Sequence, residues 1–243
     1  NTETTDSYQS RVKSVAGAVS SLKQRRINSS YGCTFYPWVR IRDDISNASL
    51  WVPPSVIAIG TFASSEAKAE LWFAPAGFTR GGLSTGAGGF GVLSTTERLR
   101  REDRDDLYEA NINPIATFPS EGIVIFGQKT LQVTPSALDR INVRRLMIFL
   151  KKRISRIAAG ILFDQNVKTT WTRFKTEADK FLAGVQANLG LTEFRVVLDE
   201  TTTTPDLVDR NILYAKIFLK PARAIEFIAI DFVITRTGAS FDD

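Results

Sequence analysis

The segment AIEFIAIDFVIT, Ala224 to Thr235, is apolar on both of its alternating faces. Ile225, Phe227, Ala229 and Val233 fall on one side; Ile228, Ile230, Phe232 and Ile234 fall on the other. A strand of this kind must be covered on both sides. It also lies close to Asp243, the last residue, and chain termini usually sit at the surface. Two placements satisfy both facts. The segment is an interior strand of its own sheet, or a strand given to another subunit by β-augmentation.

A second segment, DRINVRRLMIFLKKRISR (Asp139 to Arg156), holds seven Lys or Arg and one Asp, a net +6. The whole chain is +5, so the remainder sums to −1. Val143, Leu146, Met147, Leu150, Ile154, Ile157 and Ile161 recur at steps of three and four, which predicts an amphipathic helix with that stripe in the core. The cations fall in two rows off the stripe: Arg140, Arg144 and Lys151, then Arg145, Lys152 and Arg156, with Arg153 also off the stripe. Ile141 and Ile148 lie between the rows, with Phe149 beside them. A solvated basic face accounts for the charge. The apolar strip between the rows points instead to an interface with an acidic partner.

Composition narrows the chemistry. The chain has 243 residues, 43% hydrophobic, which is enough for one large domain or two small ones with a substantial core. It contains no His, which removes Ser-His-Asp and Cys-His nucleophile systems, HExxH zinc sites and histidine proton shuttles. One Cys, Cys33, excludes an intramolecular disulfide and a cysteine-based zinc site. No metal site, cofactor or catalytic residue is expected. GAGGFG, Gly86 to Gly91, fits G-x-G-x-x-G by letter but lacks a preceding strand, so it reads as a glycine loop. No apolar run is long enough to cross a membrane as a helix. NTETTDSYQS has neither Met nor an apolar stretch, so it is no signal peptide and is expected to be a trimmed start.

Elsewhere the pattern predicts helices over Tyr8 to Arg26, Pro54 to Ala69 and Val167 to Leu189, the last stopped by Gly190. Ser94 and Glu97 suggest a capping box before a charged helix. Strands are expected over Thr34 to Arg42, Glu193 to Glu200 and Asn211 to Pro221, with Thr201 to Pro205 as a loop. Gly122 to Val133 reads as a hairpin turning near Gly127 and Gln128.

Ordered blocks along the chain resemble one family. YPWV (Tyr36 to Val39), VPPS (Val52 to Ser55), WFAPAGFTRG (Trp72 to Gly81), LYEANINPI (Leu107 to Ile115), DRINVRRL, FRVVLDETTTTPDLVDRN (Phe194 to Asn211) and IFLKPARAIEFIAIDFV (Ile217 to Val233) are similar to sheath proteins of contractile bacteriophage tails and related injection machines. The later blocks look like sheaths of large phages of the T-even type.

The resemblance implies an α+β domain with a small mixed β-sheet flanked by helices, over residues 1–221. Residues 222–243 would be an extended C-terminal arm adding a strand to a neighbouring subunit through Ile225, Phe227, Ile228, Ile230, Phe232 and Ile234. It also implies a domain lying innermost, against the tail tube. Arg144, Arg145, Lys151, Lys152, Arg153 and Arg156 are then candidate tube contacts, carried at the level of the helix. The implied protein is a non-enzymatic virion subunit, assembled in the host bacterial cytoplasm. It would polymerise as a helical lattice and contract for host cell entry and genome ejection. Its partners would be other sheath subunits, the tube, the baseplate and the tail terminator, with no membrane insertion and no direct nucleic acid. The family's outer domains and N-terminal strand are not found, which fits a fragment. The alternative function is a basic nucleic-acid-binding module using the 139–156 helix. Against it, no recognised nucleic-acid motif is present.

Overall fold

The computed structural model describes residues 14–43, 47–84, 86, 89–226 and 228–229. The fold is α+β, with three small sheets among the described residues. The first helix, α1 (Val15–Arg25), starts at Ser14, whose hydroxyl accepts from Gly17 N, and ends at Arg26 in the left-handed region. Tyr8 and Val12 of its expected stripe lie outside the described residues.

The expected strand over Thr34 to Arg42 is two strands, β1 (Thr34–Tyr36) and β2 (Val39–Arg42). Pro37 lies between them after a cis peptide bond. β1 runs parallel to β5 (Ile112–Phe118), and β5 pairs antiparallel with β6 (Gly122–Ile125). This is the mixed sheet. β2 is the centre of an antiparallel sheet between β3 (Ser49–Val52) and β4 (Val92–Thr95). The helix α2 (Pro54–Lys68) covers Ile57 and Ala58 against both sheets, with Phe35, Val39, Ile41, Ile115, Ile125 and Ile141 in one core cluster.

Two expectations change here. Ser94 lies in β4, and the charged helix α4 (Arg101–Glu109) is capped at Arg100, six residues after the predicted cap, following the four-residue α3 (Gly77–Arg80) in chain order. An arginine side chain has no acceptor, so α4 has half a capping box: Asp103 accepts from Arg100 N at 2.8 Å. The hairpin at Gly122 to Val133 is also displaced. β6 turns back onto β5, and Gly127 does not make the turn. A Cβ at Gly127 would sit 2.9 Å from Pro114 Cδ and 3.0 Å from Tyr108, so glycine serves close packing there.

The C-terminal half is built on α5 (Ile141–Ala159) and α6 (Lys168–Ala187), laid on the antiparallel pair β7 (Leu191–Val197) and β8 (Lys216–Pro221). Leu146 and Leu150 of α5 pack with Trp171, Phe174, Ala178, Leu182 and Val185 of α6. Each fully buried side chain of this size contributes at most about 1.5–3 kcal/mol. The end of α6 is set by Leu189 at φ 62°, with Gly190 N donating to Val185 O at 2.9 Å. A Cβ at Gly190 would lie 2.6 Å from Val185 Cγ1 and 3.0 Å from the Trp72 ring. Trp72 is fixed there by its indole N–H, which donates to Asn188 O at 2.8 Å. The expected loop runs over Thr201 to Thr204 and is partly buried. Thr203 is buried and bonds both the N–H and the carbonyl of Tyr214, ahead of the short α7 (Pro205–Asp209).

Candidate interaction surface

The apolar stripe of α5 faces α6 and the β7–β8 pair, which leaves the basic rows at the flanks and away from the core. They do not behave alike. Arg144 donates to Ser30 Oγ and lies over the Tyr31 ring, 4.1 Å from its centroid. Arg145 Nη2 donates to Glu66 Oε2 at 3.0 Å and to Phe62 O at 3.3 Å, and its side chain is only 15% exposed. Burial holds the Arg145 guanidinium below its ordinary pKa, and Glu66 partly offsets this. Arg144 Nε and Arg145 Nη1 are buried without an acceptor among the described residues.

Lys151, Lys152, Arg153 and Arg156 are exposed. Arg153 reaches over the Phe181 ring at 5.7 Å. The six candidates therefore separate by turn of the helix. The first two are bound to their own domain, and the last four form a solvent-facing cationic patch. Ile148, 48% exposed, lies between them. Glu66, Ser30 and Tyr31 carried no sequence signal, because each meets its arginine from a distant segment.

Beside this patch runs a groove of about 640 Å³. Met147, Ile148 and Ile154 of α5 form one wall, Ile217 and Leu219 of β8 the other, and Arg144, Lys151 and Lys152 the rim. β8 alternates cleanly: Ile217 and Leu219 turn inward, while Lys216, Phe218 and Lys220 face solvent. Lys220 pairs with Glu193 across the sheet. Among the described residues the β7–β8 sheet has no third strand.

Of the candidate arm, Ile225 and Ile228 are 83% and 77% exposed, and residues 222–226 and 228–229 form no strand. Phe227, Ile230, Phe232 and Ile234 lie outside the described residues. In the glycine loop, Gly86 and Gly89 have positive φ, and β4 comes after it, not a helix, so the dinucleotide pattern is not met. Among the described residues no helix is long and apolar enough to cross a membrane, and no group of three or more side chains suits a metal.

A long helix pair over a two-stranded sheet, joined to a mixed sheet and a β2-centred sheet, is the fold of contractile sheaths. The extracellular contractile injection system (PVC) sheath complex in its contracted state superposes with a TM-score of 0.78 at 24% identity, covering 90% of this chain and 60% of that one. The contracted helical sheath of the anti-feeding prophage gives 0.72 at 24% identity, over 85% of this chain and 56% of that one.

Sequence narrows the class. Residues 133–235 match the family model of the phage tail sheath C-terminal domain. The chain is 41% identical to the tail sheath protein of Vibrio phage KVP40 over 199 residues, which is 82% of this chain and 29% of that protein. It is 38% identical to the tail sheath protein of Enterobacteria phage T4, over 83% of this chain and 30% of that protein. The chain thus spans about a third of the length of the sheath proteins it matches.

Proposed function

We propose that this chain is the tube-facing part of a contractile phage tail sheath subunit, a structural protein without catalysis. The observation that carries the reading is the match to tail sheath proteins over 82% and 83% of the chain, at 41% and 38% identity. In this reading subunits polymerise around the tail tube between baseplate and terminator, and contraction drives the tube through the host envelope. The protein belongs to the virion tail and assembles in the host cytoplasm.

The cationic patch of Lys151, Lys152, Arg153 and Arg156 then faces an acidic tube. Exposed ion pairs are each worth about 0–1 kcal/mol and are screened by salt. Repeated over many subunits they hold the sheath on the tube, yet no single pair resists release. Arg144 and Arg145 support that patch from behind, by fixing the first turns of α5 on Tyr31 and α2. The β7–β8 sheet, two-stranded among the described residues, and its basic-rimmed groove suit an extended segment from a neighbour, and Ala224 to Thr235 has the apolar alternation to supply it.

Electron microscopy of the full-length protein mixed with tubes tests the reading. Helical sheaths on the tubes are expected. Soluble protein that binds DNA in a salt-dependent way and never coats tubes would overturn it.

A further inference from the structure

We propose that Arg140 and Glu226 are a positioning pair that pins the chain to the domain as far as Glu226, five residues past the end of β8. The ladder of β7 and β8 ends with Pro221 opposite Leu191. The next residue, Ala222, donates its N–H to Gly190 O at 3.1 Å. Four residues on, Arg140 grips Glu226 with two parallel bonds, Nε to Oε1 at 2.6 Å and Nη2 to Oε2 at 2.9 Å. The two side chains are 27% and 16% exposed. Gln128, itself buried, adds a bond from Nε2 to Oε1 at 3.2 Å. The Tyr108 phenol also faces this carboxylate, and burial together with Glu226 holds it protonated above its ordinary range.

Between these ties the chain has little hold of its own, since Arg223, Ala224 and Ile225 are exposed. The anchor is rigid on the domain side. Arg140 is the residue from which α5 starts, its carbonyl accepts from Arg144 N at 3.0 Å, and it bridges to Lys129. A bidentate guanidinium–carboxylate pair fixes orientation as well as distance, because both N–H groups must lie in the carboxylate plane. The bearing of residue 226 is thereby set by the first turn of α5. Lysine in place of Arg140 would supply charge without that plane.

This inference goes beyond the sheath reading and does not depend on it. Trypsin cleavage after Arg223 in the unassembled full-length protein tests it. Residues 222–226 are tied at both ends, so cleavage there should be slow. Glu226→Gln and Arg140→Gln should each speed it by about tenfold, with cleavage elsewhere much less affected and only a modest fall in melting temperature. Arg140→Lys should stay fast, and the exchange of Arg140→Glu with Glu226→Arg should restore protection. Parental rates in the single variants would overturn the proposal. So would equal acceleration at all sites with a lowered melting temperature, or an exchange variant as fast as the singles.

Discussion

Arg145 Nη2 lies 3.0 Å from Glu66 Oε2 and 3.3 Å from the Phe62 carbonyl, so this cation of α5 faces α2 and not solvent. The pair is lopsided: 15% of the arginine side chain is exposed against 59% of the glutamate. The two partners should therefore differ in what their loss costs. Glu66→Ala removes a largely exposed charge and should cost under about 1 kcal/mol. Arg145→Glu sets a carboxylate in a half-buried site beside Glu66 and leaves Phe62 O unpaired, at about 2–4 kcal/mol. Urea denaturation of the two variants distinguishes them. Equal, small losses would place Arg145 at the surface, as its position off the apolar stripe had suggested.

The exposed end of the same helix should respond in the opposite way. Lys152→Glu with Arg156→Glu touches no partner among the described residues, so stability should change by no more than about 0.5 kcal/mol. Assembly on tubes should weaken, most strongly at low salt, where charge interactions reach furthest. Co-sedimentation with tubes across a salt series measures it. A parental yield at every salt concentration would remove this patch from the tube interface.

Range decides which features the sequence disclosed and which it hid. α2, α5 and α6 were legible because their apolar stripes have the helical period, and β7 and β8 because the β-formers of one follow Gly190 and those of the other run up to Pro221. β5 was hidden: it comes directly after a charged helix and is buried over Ile112 to Ala116, so it shows no alternation. The partition of the basic face was hidden too. Periodicity says which residues leave the core, but Glu66 meets Arg145 across 79 positions and Ser30 meets Arg144 across 114. Asn113 is the same case. It is fully buried and ties β5 to β1 and to the Lys129 segment, donating to Thr34 O and Lys129 O while accepting from Lys129 N.

The α5–α6 core should tolerate truncation poorly. Leu146 and Leu182 are 1% and 0% exposed in one cluster. Leu146→Ala or Leu182→Ala should cost about 2–5 kcal/mol, with the spread set by how far α6 can settle into the gap. Because the residues share a cluster, the double variant should depart from the sum of the singles. Strict additivity in denaturant melts would mean the two sites do not share packing.

Cys33 gives a pH-dependent readout. Burial pushes its thiol pKa up from the ordinary value. Only the thiolate is alkylated, so iodoacetamide at pH 8 should react at least about tenfold slower with folded protein than with urea-unfolded protein. A pKa raised by folding stabilises the native state at low pH. That contribution is present below the unfolded pKa and is lost as pH rises through the folded one. Alkylation of the folded protein should therefore keep accelerating beyond pH 9, and stability should fall slightly over the same range. Equal rates for folded and unfolded protein at pH 8 would show an open thiol.

Two truncations of the full-length protein separate the body from its C-terminal extension. Ending the chain after Glu226 keeps the Arg140 pair and the Ala222 bond to Gly190. If the residues beyond serve a neighbour, as proposed, this variant should melt cooperatively near the parental temperature and form no sheaths. Each receiving sheet would lose a strand's row of backbone hydrogen bonds together with a doubly apolar face. Ending the chain after Pro221 should abolish sheaths equally, but should also destabilise the body. It leaves Arg140 part-buried with only Asp139 as an acidic partner, 3.2 Å away, and strips Gln128 Nε2 of its acceptor. Unpaired buried groups of this kind cost about 1–3 kcal/mol. An interior strand over Ala224 to Thr235 predicts another order. Removing roughly eight buried apolar side chains, each worth about 1.5–3 kcal/mol, would exceed a domain's net stability. Both variants would then be unfolded or insoluble, and the strand would belong to its own sheet. Near-parental melting of the longer variant, a modest loss in the shorter one and no sheaths from either is the pattern expected of an extension anchored at Glu226 and used by another subunit.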